Sequence, residues 1–163
     1  MKKRCEKCGK EFEPIQPGHR LCPSCFSSGR RDFPPREPLP AQLLLTAYHD
    51  KEGNALKEVF VGVPEKLASI FDRDGLAIKQ LRDFHRRIAK ARNVALLKGI
   101  GPARPLLYEC LAHTEYQLKR EKIPNTFAQF VRHHVALAEK DEKSIEGFFQ
   151  HIDSVVCYFP KQK

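Results

Sequence analysis

Apolar residues recur at helical spacing through most of the second half of the chain. Set out at 100° per residue, Ala77, Ile78, Leu81, Phe84, Ile88 and Ala95 fall on one side of the stretch Leu76 to Leu97, with Ala91 at its edge. Lys79, Arg82, Arg86, Lys90 and Asn93 fall opposite, so the stretch predicts an amphipathic helix with one face for protein and one basic face. Asp74 before it is placed to act as N-cap, and Lys98-Gly-Ile-Gly-Pro102 predicts a sharp turn after it.

Three further helices follow from the same periodicity. Ala103 to Arg120 carries Leu107, Cys110, Leu111, Thr114 and Leu118 on one face and Tyr116, Lys119 and Arg120 on the other. Phe127, Phe130, Val131 and Val135 form the stripe of the next, with Asn125 as its cap. Asp141 to Tyr158 has Ile145, Phe148, Phe149, Ile152, Val155 and Val156 before Pro160 ends it. A short helix over Pro64 to Phe71 precedes all of these. The short connections predict an antiparallel helical bundle over residues 64–163.

The first part of the chain reads differently. Gln42 to Tyr48 and Leu56 to Val63 are rich in Leu, Val, Phe and Tyr around His49-Asp-Lys-Glu-Gly53-Asn54, which predicts a β-hairpin over 41–63. Residues 29–40 hold most of a proline-rich run without apolar periodicity and read as a semi-rigid linker. Residues 1–28 contain Cys5-Glu-Lys-Cys8 and Cys22-Pro-Ser-Cys25, two CxxC pairs separated by thirteen residues. Two thiolates two residues apart can bind one metal from a single tight turn, and Gly9 permits the close backbone approach such turns use. Four sulfurs suit a closed tetrahedral zinc site, structural rather than catalytic; the alternatives are disulfides or reduced thiols. Phe12, Ile15 and Leu21 would form the small core of this zinc-ribbon-like module. Cys110 and Cys157 read as buried small apolar residues. The fold class is therefore mainly α: an antiparallel helical bundle preceded by a small four-cysteine zinc module and a β-hairpin.

Charge narrows the choice of partner. The chain of 163 residues has a formal net charge of +9, and between Gly75 and Arg104 there are eight Lys or Arg (Lys79, Arg82, Arg86, Arg87, Lys90, Arg92, Lys98, Arg104) against the single acid Asp83. Nucleic acid is the first candidate. A membrane surface is disfavoured, because the face opposite the charge has the alanines of a packing surface instead of bulky residues free to insert. Met1-Lys-Lys-Arg4 is followed by no apolar segment, so the chain reads as cytoplasmic. No active site assembles. Of the candidates His113, His133, His134 and His151, His133 and His134 lie about 100° apart with neither having a carboxylate or Lys partner at helical reach, His151 and Asp153 point to different sides of a helix, and Gly99-Ile-Gly101-Pro lacks the Lys-Ser/Thr of a phosphate loop.

The block from about Leu76 to Phe159 resembles the small-subunit family of type III-A CRISPR effector (Csm) complexes. The resemblance rests on Gly75-Leu-Ala-Ile-Lys-Gln-Leu-Arg82-Asp-Phe84, Tyr116-Gln-Leu-Lys-Arg120, Phe127-Ala-Gln-Phe130, Phe148-Phe149 and Val155-Val156-Cys-Tyr-Phe159, in that order and spacing. It implies a non-catalytic helical protein, present in several copies, stacked along the guide RNA and target RNA beside the backbone and large subunits of the effector. Carried over by position, Lys79, Arg82, Arg86 and Arg120 match the family's basic stretches; helical geometry adds Lys90, Tyr116 and Lys119 as RNA-binding residues. The zinc module and hairpin depart from the family pattern. A second reading, a stand-alone zinc-ribbon regulator binding nucleic acid, is weakened because no helix with base-reading Arg or Asn follows either cysteine pair.

Overall fold

The computed structural model describes residues 2–6, 9–14, 20, 22, 23 and 37–161. The chain divides into two units, Met1–Arg36 and Glu37–Lys163.

In the first unit, β1 (Lys3–Arg4) pairs antiparallel with β2 (Glu11–Phe12). The turn between them closes on Cys5: the Gly9 amide donates to its carbonyl (2.9 Å), and its own amide donates to Lys10 (2.9 Å). Cys5, Phe12 and Cys22 are buried together as one cluster. Ile15, Leu21, Cys8, Cys25 and most of the linker lie outside the described residues.

The second unit is mainly helical, as the periodicity predicts: α1 (Val63–Arg73), α2 (Ile78–Lys98), α3 (Ile100–Lys119), α4 (Asn125–Ala138) and α5 (Glu142–Tyr158). Consecutive helices from α2 onward pack on one another, and α5 also packs against α1 and α2, which makes it the hub of the bundle. Each apolar stripe faces the common core. Leu81, Phe84, Ile88, Ala91 and Ala95 of α2 are buried with Leu107 and Cys110 of α3, Phe127, Phe130, Val131 and Val135 of α4, and Ile145, Phe148, Ile152 and Val155 of α5. At its centre Phe71, Phe84, Phe127 and Phe130 meet mostly edge to face at centroid distances of 5.0–6.0 Å, the arrangement that aromatic quadrupoles favour.

Four local expectations are corrected. Asp74 does not cap α2. Gly75 (φ +90°) instead ends α1, with the Gly75 amide donating to Asp72 and the Leu76 amide to Phe71, the two bonds of a Schellman motif sealed by buried Leu76. The Asp74 carboxylate is buried and accepts from the Thr126 hydroxyl (2.8 Å) and Arg73 Nε (3.0 Å). The turn after α2 shrinks to Gly99 (φ +86°), and α3 starts at Ile100, whose amide donates to Glu142 Oε1 (2.9 Å). Asn125 is the first helical residue of α4, not its cap, which is Pro124. Cys157 is exposed, one turn from the buried stripe, whereas Cys110 is buried as expected and its thiol is pushed up to about 12 by desolvation. At the start of α5, by contrast, Asp141 accepts from the Ser144 amide (2.7 Å) as an N-cap should.

The segment over 41–63 is also not the expected hairpin. Its turn closes as predicted, with Asp50 accepting from the Glu52 and Asn54 amides, but pairing stops at a single bridge, His49 with Ala55, flanked by the 3-10 turns Ala41–Leu43 and Lys57–Val59. The helices have taken the groups a ladder would use. His133 Nε2 donates to the Leu45 carbonyl (2.6 Å) and His151 Nδ1 to the Val59 carbonyl (2.8 Å); just ahead of the segment, Gln129 Oε1 accepts from the Leu39 amide (2.9 Å). Leu43, Tyr48 and Val59 turn inward, Tyr48 bonding His134 Nδ1 (2.6 Å) and lying against Gly147, where a Cβ would come within 2.4 Å of its ring. The segment is a strap docked on α4 and α5, and three imidazoles hold it there.

Candidate nucleic-acid interface

Helix α2 separates its cations by partner. Arg87 pairs with Asp83 one turn back, Arg92 donates to Glu146 of α5 and lies over the Phe149 ring, and Arg104 of α3 reaches the Glu139 carbonyl (2.9 Å). Lys79, Arg82, Arg86 and Lys90 are exposed and make no ion pair among the described residues. Their spacing of three or four residues places them in one row, because that is the repeat of neighbouring positions on a helix surface.

The row borders a groove of about 470 Å³ between α2 and the end of α3, lined by Lys79, Gln80, Asp83, Arg86, Tyr116, Gln117, Arg120 and Lys122. Of the seven residues expected to bind RNA, Lys79, Arg86, Tyr116 and Arg120 therefore come together. Arg82, Lys90 and Lys119 are exposed but outside the groove. Tyr116 is half-exposed, and the Arg120 guanidinium lies 4.4 Å above its ring. The groove's acid, Asp83, accepts from Arg87 Nε (3.3 Å) and bonds His113 Nε2 (3.2 Å), so part of its charge is already answered.

Sequence reasoning missed Lys122, Gln80 and Gln117. Lys122 follows the helix, where periodicity has no hold. It is turned back by Glu121, a non-glycine residue at φ +56°, and its amide donates to the Gln117 carbonyl (3.0 Å). Gln80 and Gln117 carry no charge and so gave no signal in a search for cations.

The histidines have structural partners. His134 and His151 are fully buried with ring centroids 5.0 Å apart; burial holds the His134 imidazole well below its ordinary range and His151 at about 4. Both are neutral at physiological pH. His113 is lowered mainly by burial and then by Arg87, against the upward pull of Asp83. Of the four cysteines in the CxxC pairs, Cys5 and Cys22 share the buried cluster of the first unit, while Cys8 and Cys25 lie outside the described residues.

These features define a helical bundle that carries, among the described residues, an unpaired cationic face on α2 and a groove of mixed basic, aromatic and amide character. The family model for Csm2, Type III-A, matches residues 55–162, and the chain belongs to that family; it is a subunit of a type III-A CRISPR effector complex. No curated protein and no solved structure gives a significant match. The match takes in all five helices and leaves out the cysteine unit and the first half of the strap. Among the described residues no helix is long and apolar enough to cross a membrane.

Proposed function

We propose that the chain is a non-catalytic, RNA-binding structural subunit that holds the target RNA and guide RNA of the effector by their backbones. The contacts are Lys79, Arg82, Arg86 and Lys90 of α2, continued by Tyr116, Lys119 and Arg120 of α3. The observation that carries this is the row of exposed cations without ion-pair partners among the described residues, beside a groove rimmed by further cations. Phosphate contacts position a strand without reading it, which suits a subunit that must accept any guide sequence. The backbone and large subunits of the complex and further copies of this chain are its protein partners.

Replacing Lys79, Arg82, Arg86 and Lys90 by Ala tests this directly. The slope of log affinity against log salt for single-stranded RNA is expected to flatten by about 0.7 per lost contact. A slope equal to that of the unchanged protein sinks the reading.

The N-terminal unit carries a structural zinc ion on Cys5, Cys8, Cys22 and Cys25. Supporting this are the spacing of the pairs, the tight turn closed by Gly9 on the Cys5 carbonyl, and the shared burial of Cys5 and Cys22. With so small an apolar cluster, metal would supply most of the unit's folding free energy. A chelator is expected to release about one zinc ion per chain and unfold the first unit while leaving the far-UV helical signal largely intact. Loss of the helical signal would show instead that the two units fold as one.

A further inference from the structure

We infer that the groove between α2 and the end of α3 takes one unpaired nucleobase, stacked on the Tyr116–Arg120 pair, while the cations at its rim hold the flanking phosphates. This deepens the RNA-binding reading above and rests on it.

Shape is the first reason. A backbone tracked along a convex helix needs no concavity, yet residues of α2 and α3 and the turn after α3 enclose about 470 Å³. The second is the π surface. Tyr116 is half-exposed at the groove, and the guanidinium already stacked 4.4 Å above it is itself a planar face on which a base can continue the stack. A phosphate makes no use of either plane.

The third reason concerns hydrogen bonding. A phosphate diester offers only acceptors, so it cannot satisfy another acceptor. The groove nevertheless contains the Asp83 carboxylate and the side-chain amides of Gln80 and Gln117. A base edge carries N–H donors as well as acceptors, and both kinds find counterparts on Gln80, Gln117 and Asp83. Lys79, Arg86 and Lys122 then lie on the rim for the phosphates on either side. A base paired within a duplex keeps its faces stacked and its edge occupied. The groove therefore selects single-stranded or locally unpaired RNA.

Full-length protein, its Tyr116→Ala and Tyr116→Phe variants and a Lys79→Ala/Arg86→Ala double variant separate these contributions. The probe is a short single-stranded oligouridylate carrying one 2-aminopurine, compared with the same length of duplex RNA. The unchanged protein and Tyr116→Phe are expected to shift 2-aminopurine fluorescence on binding. Tyr116→Ala should abolish that shift and weaken single-strand binding about tenfold at every salt concentration, with an unaltered salt slope and a smaller loss on duplex RNA. The double variant should flatten the slope and keep the fluorescence change. A Tyr116→Ala variant that binds the single strand as tightly as the unchanged protein, or loses duplex binding equally, overturns the base site while the slope data still judge the phosphate reading. Unchanged slopes in the double variant overturn the phosphate reading, and absence of binding to either RNA overturns both.

Discussion

On the α5 side of α2, Arg92 donates to Glu146 and covers Phe149, and His85 meets Asp153 at 2.9 Å. On the outer side Lys79, Arg82, Arg86 and Lys90 extend into solvent with no ion pair among the described residues. Basic residues stand on both sides, and what differs is whether the bundle provides an acid. Cations of the first kind fix how helices meet and are spent within the fold; those of the second leave a field directed outward. Counting Lys and Arg along α2 merges two populations that the tertiary contacts separate.

The contrast can be broken most severely from the apolar stripe that both sides flank. Phe84 is buried against Phe127, and Phe84→Ala is expected to cost about 3–5 kcal/mol, read as a lower denaturant midpoint. A loss below about 1 kcal/mol would mean that α2 is held chiefly by its polar flanks.

Acid should act chiefly on the inner region. Burial holds His151 at about 4, against 6.5 when unperturbed, so the unfolded chain takes up its proton first as pH falls. The resulting stability is fully present above about pH 6.5, declines through the window below it and is gone under about pH 4. At about 1.4 kcal/mol per pH unit this is about 3 kcal/mol from His151, with a contribution of the same sign from His134. Because both imidazoles hold the strap, the protection factors of amides in residues 41–62, taken relative to the intrinsic exchange rate at each pH, should fall as pH drops below about 6. Urea midpoints that do not change between neutral pH and pH 4.5 would refute the assignment.

Smaller effects distinguish the two sets of cations. Arg92→Ala should lower stability by about 1 kcal/mol, since its ion pair is partly shielded and its guanidinium packs on a ring, and should leave the salt dependence of RNA binding unchanged. The four outer substitutions should show the reverse: each within about 0.5 kcal/mol in stability, all registered in the salt slope. If Arg92→Ala altered the slope as much as they do, the distinction between paired and free cations would fail.

Long helices were legible because burial on one face imposes a period that no turn or strand shares. Leu81, Phe84 and Ile88, or Ile145, Phe148 and Ile152, declare their face from spacing alone. The strap was misread for an equally physical reason. Its apolar residues and turn suit a hairpin, but the partners of its carbonyls, His133 and His151, lie about ninety positions away in the chain. Asp74-Gly75 was ambiguous in the same way, since the pair can begin one helix or end another, and burial of Leu76 decides for the ending.

By itself, then, the sequence determined the helical class, the inward face of every long helix, the side of α2 that bears charge, and the candidate thiolate set. These depend on residue type and local spacing, which the chain carries with it. Only tertiary structure decided which arginines are consumed by acids on neighbouring helices, that Tyr116 and Arg120 share a groove with Lys79 and Arg86, and that Lys122 joins them. Those facts depend on which distant side chains come within hydrogen-bonding or van der Waals reach, a distance of a few ångströms that no periodicity along the chain records.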